Sequence, residues 1–233
     1  MKYPIKKKNL ISIVQSMQGF ESPDIRLEQY VTDAVSTVDF LYYVAVDNGD
    51  IANNIILDLG AGTGRLGLSS LLLGAKRVYA FEIDKSAIEV LTNNADTLDL
   101  LDDVEIIQCD IAKIHPEEIS ELINRINAYK SRACNQLECN IICIMNPPFG
   151  VHSKNADRPF LNLAMQISDT IYSLHLSNPK TRSFIQRFIE RNGWGTSTIH
   201  SQKIVLVSSY AFHKKKRKEI MADVYKMEKK RII

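Results

Sequence analysis

The tetrapeptide Asn146-Pro147-Pro148-Phe149 carries the most specific chemistry in this sequence. Its two prolines fix the backbone direction, which holds the Pro147 carbonyl in place. The Asn146 side-chain oxygen and that carbonyl can each accept a hydrogen bond from an amino group, and together they would aim its lone pair at an electrophile. Phe149 can stack on a planar base. These residues predict alkylation of an exocyclic amino group, whereas the plainer alternative is a turn that ends a strand.

A glycine-rich loop supplies a candidate cofactor site. The apolar run Ile55-Ile56-Leu57 continues into Asp58-Leu59-Gly60-Ala61-Gly62-Thr63-Gly64. Ligands of open α/β sheets bind at the carboxyl ends of strands, and glycine lets the backbone approach them closely. Gly62, Gly64 and Gly67 also match the G-x-G-x-x-G of nicotinamide dinucleotide sites, but that match begins several residues beyond the strand. It also leaves Asp58 unexplained, because a carboxylate would repel a pyrophosphate and suits a cationic ligand such as S-adenosylmethionine.

Two further acids follow predicted strands. Glu82 ends the second strand and can accept hydrogen bonds from both ribose hydroxyls. Asp110 ends the third strand and can bind the adenine amino group. A single acid after a strand is more often a helix N-cap. Three acids after three successive strands, together with the glycine loop, favour S-adenosylmethionine as cofactor.

Hydrophobic patterning predicts an α/β fold, because strands and helices alternate and the strands are apolar enough to be buried in a parallel sheet. The predicted strands are 54–59, 77–83, 104–109, 140–145 and 203–209. The predicted helices are 32–47, 65–73, 85–97, 116–129, 160–174 and 182–191, with an irregular segment at 130–140. We expect one structural domain. In it, a helical extension (1–50) closes over the cofactor site of a catalytic part (51–233) with a basic C-terminal tail.

The charged residues are unevenly distributed although the net charge is only +2. Basic residues cluster near both ends, and the leading candidates for contacts with RNA phosphates are Lys214, Lys215, Lys216, Arg217 and Lys218. A solvated surface is the plain alternative for such runs. We expect no membrane span, no secretory signal and no metal site, since the four cysteines lack zinc-binding spacing. A cytoplasmic protein fits this composition.

Several segments together resemble a known family. The tetrapeptide is typical of class I methyltransferases with an N-P-P-[FY] motif, and the chain is more closely similar to the methyltransferase-like protein 5 family. The matching segments are Leu27-Glu28-Gln29-Tyr30 with Thr32, Asn146-Pro147-Pro148-Phe149-Gly150, Tyr172-Ser173-Leu174-His175 and Phe212-His213-Lys214-Lys215-Lys216. The resemblance implies a Rossmann-like fold with a mostly parallel seven-stranded sheet and helices on both faces. It also implies methylation of adenine N6 in small-subunit ribosomal RNA.

The same resemblance implies a set of cofactor contacts and a partner. The residues implied to contact the cofactor are Gln29, Thr32, Gly60, Thr63, Arg65, Glu82, Asp110 and Ile111. Val31 departs from the proline usual in the family, and the stretch 115–140 is longer than expected. Family members pair with a small zinc-binding activator subunit, for which the predicted strand 104–109 is the candidate edge.

Other acceptors remain open at this point. A protein glutamine amide presents the same two donors as an adenine amino group, and adenine in DNA or guanine N2 in RNA would also suit the tetrapeptide. A non-catalytic RNA-binding scaffold is the alternative from a different class, although it would have no need for both Asn146 and Phe149.

Overall fold

A single mixed sheet forms the centre of the molecule. The computed structural model describes residues 5–134, 139–150, 155–207 and 217–230. The strand order across the sheet is β1-β7-β8-β6-β5-β2-β3-β4, with strands β1 (Val31–Thr32), β2 (Ile55–Leu59), β3 (Arg77–Glu82), β4 (Val104–Gln108), β5 (Ile141–Met145), β6 (Thr170–Leu176), β7 (Trp194–Val207) and β8 (Arg217–Lys229). Strands β2 to β6 are parallel to one another, whereas β8 is antiparallel to both β6 and β7. The seven-stranded, mostly parallel sheet predicted from the sequence is confirmed, and the two-residue β1 adds an eighth strand at one edge.

Helices cover both faces of this sheet. They are α1 (Lys7–Ser16), α2 (Ala34–Tyr42), α3 (Arg65–Leu72), α4 (Lys85–Thr97), α5 (Pro116–Ala133), α6 (Arg158–Ile167) and α7 (Pro179–Arg191), with a π-helical turn at Tyr43–Asp47. Alternate residues of a strand point to opposite faces, and β2 is buried throughout. Ile56 packs in a core with residues of α1 to α4, and Ile55 and Leu57 pack in a second core with residues of α5 to α7. The structure is therefore a three-layer α/β/α domain.

The predicted elements of the first half agree with the structure within a few residues, but several in the second half do not. The strand expected to begin at residue 203 begins at Trp194. The segment 160–174 was expected to be one helix, whereas α6 ends at Ile167 and β6 begins at Thr170. The predicted basic tail contains β8, which lies between β6 and β7. Helix α5 also continues to Ala133, into the segment expected to be irregular.

The four cysteines comprise two free thiols and one pair. Cys109 and Cys143 are free thiols, while the sulfur atoms of Cys134 and Cys139 lie 2.50 Å apart and form a pair that their spacing did not predict. Within the described ranges, no cluster of three or more metal-binding side chains occurs. None of the helices in the described part of the chain is both long and apolar enough to cross a membrane.

Candidate active site

A cavity of about 450 Å³ opens at the carboxyl ends of the parallel strands. This is the edge where the loops after β2, β3, β4 and β5 meet, as expected for a ligand site in an open α/β sheet. The predicted site residues that line it are Gln29, Thr32, Gly60, Gly62, Thr63, Arg65, Glu82, Asp110, Ile111, Asn146, Pro147, Pro148 and Phe149. Residues separated by more than 100 positions in the sequence are thus brought to one cavity.

The glycine loop approaches the cavity with its backbone. Gly60 N donates a hydrogen bond to Phe81 O at 2.9 Å, and Gly62 N donates to Glu82 Oε2 at 2.7 Å. Gly60 and Gly62 have backbone φ angles of 76° and 55°, which residues other than glycine rarely adopt. A Cβ atom at Gly62 would lie 2.9 Å from the ring of Phe20. The loop therefore needs glycine for its conformation. It also needs glycine for its close contact with the N-terminal segment, which is the stretch between α1 and α2 (residues 17–33).

Glu82 presents a buried carboxylate at the cavity wall. It is 7% exposed, and burial raises the pKa of its carboxyl group above the usual value. Three backbone N–H groups oppose that effect: Ile83 and Asp84 donate to Oε1, and Gly62 donates to Oε2. These bonds hold the carboxylate in one orientation. Oε2 can still accept a hydrogen bond from a hydroxyl group. Glu82 is thus suited to bind a ribose.

An apolar slot with an acid at its side lies next to Glu82. Ile83 and Ile111 both line the cavity, and Asp110 lies between the ends of β3 and β4. Asp110 Oδ1 accepts a hydrogen bond from Ala112 N at 3.0 Å, and Oδ2 pairs with Lys113 Nζ at 3.0 Å. Two apolar side chains and an oriented carboxylate suit the faces and the amino group of an adenine ring. The residues present therefore fit S-adenosylmethionine.

Asp58 does not line this cavity, unlike the other predicted cofactor residues. It is 1% exposed and its Oδ2 accepts a hydrogen bond from Gly67 N at 2.7 Å. Burial raises the pKa of Asp58 to about 7. Because Asp58 lies on the same face of β2 as Ile56, its side chain points toward α3 rather than toward the ligand. Its position supports a role in fixing the start of α3 and does not support the predicted direct contact with the cofactor.

The Asn146 amide is oriented at the cavity wall. Its Nδ2 donates a hydrogen bond to Thr32 Oγ1 at 3.2 Å. Its Oδ1 is buried and has no hydrogen-bond partner among the described residues. Pro147 and Phe149 follow it along the same wall. A buried acceptor without a partner in the described ranges and an aromatic ring thus belong to the lining of the same cavity, which suits a planar ligand with an amino group.

The N-terminal segment forms the opposite wall and is tied to the sheet at several points. Arg65 donates to the carbonyls of Met17 and Thr32, both at 3.2 Å. Gln29 Nε2 donates to Asp84 Oδ2 at 2.8 Å. Burial lowers the pKa of Arg65, although Asp33 opposes this shift. Gln29 and Arg65 thus line the cavity and at the same time bind the segment that covers it.

Sequence reasoning missed several residues of the cavity and its supports. Phe20, Ile83 and Phe160 line the cavity. Asn94, in α4, binds the backbone of Gln18 and of Thr63. Only Ile83 has a visible signal, since it is an apolar residue directly after the acid that ends a strand. The others come from helices or loops whose distance from the site depends on the fold.

The predicted RNA-binding run is only partly described. Lys214, Lys215 and Lys216 lie outside the described residues. Arg217 and Lys218 begin β8, and only their backbone is described. The same strand pairs with β7, and β7 pairs with β1 next to Thr32. Arg217 thus pairs with Val207, the residue of β7 that also pairs with Val31 of β1.

Comparison with known proteins identifies the family. A zebrafish (Danio rerio) protein named rRNA N(6)-adenosine-methyltransferase METTL5 is 32% identical over 94% of this chain and 97% of its own length. The chain belongs to the METTL5 family. The Drosophila melanogaster Mettl5 is 29% identical over 96% of this chain and 97% of its own length. The expected family membership is thereby confirmed, and the chain is a methyltransferase.

This chain is also similar to a protein of known structure. The crystal structure of protein PH1948 from Pyrococcus horikoshii shares 35% identity with this chain, covers 96% of it and 98% of its own length, and superimposes with a TM-score of 0.78. The family model for the ribosomal protein L11 methyltransferase (PrmA) matches residues 41–131. That match ends before Asn146, so it covers the glycine loop and Glu82 but not the residues that would face an acceptor.

Proposed function

We propose that this chain transfers a methyl group from S-adenosylmethionine to N6 of an adenine in small-subunit ribosomal RNA. The relatives named as rRNA N6-adenosine methyltransferases support the reaction and the class of substrate. The observation that carries the proposal is the Asn146 Oδ1 atom, a buried acceptor at the cavity wall without a partner in the described ranges. Such an atom costs folding free energy unless a ligand donor reaches it.

The chemistry assigned to the tetrapeptide is orientation rather than proton abstraction. An adenine amino group has two N–H donors, which Asn146 Oδ1 and the Pro147 carbonyl can accept. These bonds draw the nitrogen lone pair out of conjugation with the ring and direct it along the line of attack. Phe149 also lines the cavity and can stack on the target base once the base has been extruded from its RNA helix or loop. S-adenosylmethionine supplies the electrophilic methyl group when bound.

The cofactor is assigned to the other part of the cavity. Glu82 would accept from the ribose hydroxyls, Asp110 would bind the adenine amino group, and Ile83 and Ile111 would pack on the ring. Gly60, Gly62 and Thr63 would lie along the methionine part, next to Gln29 and Arg65. In this assignment, the methionine part would lie between the adenine slot and Asn146, as methyl transfer requires.

Two partner surfaces complete the proposal. The basic run from Lys214 to Lys218 is assigned to the RNA backbone, because phosphate contacts supply affinity that does not depend on sequence. Strand β4 is at the edge of the sheet, next to β3 alone in the described structure. Its edge is free to pair with a strand of another chain, which supports a small zinc-binding activator subunit as the heterodimer partner. A ribosomal substrate also fits the expected cytoplasmic location.

The first experiment is transfer of labelled methyl from S-adenosylmethionine to total RNA, DNA and protein, followed by nucleoside digestion of the labelled RNA. The expected product is N6-methyladenosine in small-subunit ribosomal RNA. Asn146→Ala is expected to reduce turnover by roughly 100-fold or more, because one of two fixed acceptors is lost, with the affinity for S-adenosylhomocysteine unchanged. Ser120→Ala, on the exposed face of α5, is the control.

The other outcomes of this experiment either contradict part of the proposal or show that the partner is required. Label in protein alone would move the acceptor to a glutamine amide, and label in DNA would move it to DNA adenine. If the cofactor binds but no product is labelled, and the activator subunit restores labelling, the proposed reaction stands and the partner is obligatory. Turnover of Asn146→Ala equal to that of the unmodified chain would contradict the role of the tetrapeptide.

A further inference from the structure

The plane of the Asn146 amide is fixed by a side chain from the other end of the chain. Thr32 Oγ1 lies 3.2 Å from Asn146 Nδ2 and accepts its hydrogen bond, and both residues line the cavity. Half a turn about the terminal torsion of an asparagine exchanges the amide oxygen and nitrogen. The nitrogen would then point its own donors at the donors of an adenine amino group. In the arrangement that the structure shows, Thr32 Oγ1 accepts from Nδ2, and Oδ1 is the amide atom left for an amino donor.

The position of Thr32 is set by protein contacts alone. Thr32 pairs with Leu206 of β7, and its carbonyl accepts a hydrogen bond from Arg65 Nη1 at 3.2 Å. The next residue, Asp33, donates from its backbone N–H to Val205 O at 3.0 Å. Strand β7 and helix α3 thus hold the backbone on both sides of the Thr32 hydroxyl.

We infer that Thr32 is a positioning residue that orients the Asn146 amide for attack by the acceptor nitrogen. This role differs from the cofactor contact that the family resemblance implies for Thr32. It rests on the proposed function, because an oriented amide oxygen matters only where the acceptor is an amino group. Thr32 touches no reacting atom, and it acts through Asn146.

The test compares Thr32→Val with Thr32→Ser in the full chain. Valine has nearly the shape of threonine but cannot accept the hydrogen bond, whereas serine retains the hydroxyl. For Thr32→Val we expect kcat to fall roughly 10- to 100-fold, the range for a misplaced reacting group. The dissociation constant of S-adenosylhomocysteine, measured by calorimetry, should stay unchanged. Thr32→Ser should retain most of the activity. Thr97→Val, on the exposed face of α4, is the matched control.

A double variant separates positioning from a general structural effect. Under single-turnover conditions, Thr32→Val should cause little further loss in a chain that already carries Asn146→Ala, because the amide it orients is absent. An equal loss in both backgrounds would overturn the inference. So would a wild-type kcat in Thr32→Val, or a loss of cofactor affinity as large as the loss of kcat/KM.

The same variants distinguish a failure of this inference from a failure of the proposed function. If Asn146→Ala abolishes turnover and Thr32→Val does not change it, the positioning role is wrong and the proposed function stands. If Asn146→Ala has full turnover, the proposed function of the tetrapeptide fails, and the positioning role fails with it.

Discussion

His175 is a buried histidine whose surroundings favour the neutral ring. It is 2% exposed, and its Nε2 lies 2.7 Å from Ser173 Oγ. Its Nδ1 lies 3.6 Å from Asp157 Oδ2, at the start of α6, and its ring packs edge-on against Tyr225. Burial lowers the pKa of His175 to about 3, although Asp223 opposes the shift. The side chain thus links β6 to the helix that carries Phe160 into the cavity wall.

This lowered pKa predicts how stability depends on pH. Between the ordinary pKa of about 6.5 and the folded value of about 3, the unfolded chain binds a proton at His175 and the folded chain does not. The contribution of the neutral His175 ring to the free energy of unfolding is therefore fully present above about pH 6.5 and is lost as the pH falls. We expect a loss of about 1 kcal/mol per pH unit relative to His175→Gln, measured by urea unfolding from pH 7 to pH 5.

The control for this measurement is His200→Gln, because His200 is exposed on β7. Its free energy of unfolding should follow that of the unmodified chain over the same range of pH. If the free energy of unfolding of His175→Gln has the same pH dependence as that of the unmodified chain, the folded protein binds a proton at His175. The prediction of a neutral His175 ring would then be wrong.

The three acids of the predicted site show what the sequence could and could not reveal about single residues. Glu82 and Asp110 line the cavity as expected, whereas Asp58 does not. The register explains the difference. Asp58 pairs with Ala80, two residues before Glu82, so its side chain lies deeper in the sheet than that of Glu82, the last residue of β3. The sequence contains the acids and the strands, but register is set by tertiary contacts between distant segments.

At the scale of elements, the segment between α1 and α2 depends on one asparagine of α4. Asn94 is 3% exposed. Its Oδ1 accepts from Gln18 N at 2.8 Å, and its Nδ2 donates to Gln18 O at 3.0 Å and to Thr63 O at 2.9 Å. One amide therefore joins the N-terminal segment to the glycine loop. The cavity wall that contains Phe20 and Gln29 begins at this junction.

We expect Asn94→Ala to weaken both the fold and the cofactor site. Buried backbone groups of Gln18 and Thr63 would lose their partners, at a cost of about 1–3 kcal/mol in the free energy of unfolding. The dissociation constant of S-adenosylhomocysteine should rise, since the segment covering the glycine loop is released. Asn93→Ala, at the exposed neighbouring position, is the matched control. Wild-type cofactor affinity in Asn94→Ala would show that this junction does not hold the cavity closed.

The elements predicted well and poorly differ in how local their signals are. Helix α4 was predicted with its observed ends because Asp84 caps it and its apolar residues keep one periodicity. Strand β6 was joined to α6 because an apolar run continues past Ile167, and periodicity alone does not separate a buried strand from a buried helix. Strand β8 was missed because its charged residues resemble a tail. Its place between β6 and β7 follows from pairings with residues far away in the chain.

At the scale of the whole molecule, RNA affinity should depend on the basic run more than on the cavity. Replacing Lys214, Lys215 and Lys216 together by alanine should weaken binding to all RNA sequences alike. The slope of log affinity against log salt concentration should become shallower by about 2, because each of the three lost phosphate contacts contributes about 0.7 on a single strand. The measurement is fluorescence anisotropy with labelled ribosomal RNA fragments at several salt concentrations.

The control for the basic run keeps its charge. Replacement of the same three lysines by arginine should preserve the salt slope, and both triple variants should bind S-adenosylhomocysteine as the unmodified chain does. An unchanged slope in the alanine variant would show that the RNA backbone is bound elsewhere on the surface.

The interior place of β8 has a consequence for biosynthesis. Ribosomes make β8 last of all the strands, yet β7 and β1 reach the rest of the sheet only through it. A nascent chain that ends before Arg217 can form the parallel strands and the glycine loop, but Thr32 has no settled place beside Asn146. Synthesis of the cofactor half is thus separated from catalytic competence: the cofactor half can fold before β8 is made, and the acceptor half is assembled only once β8 has joined the sheet.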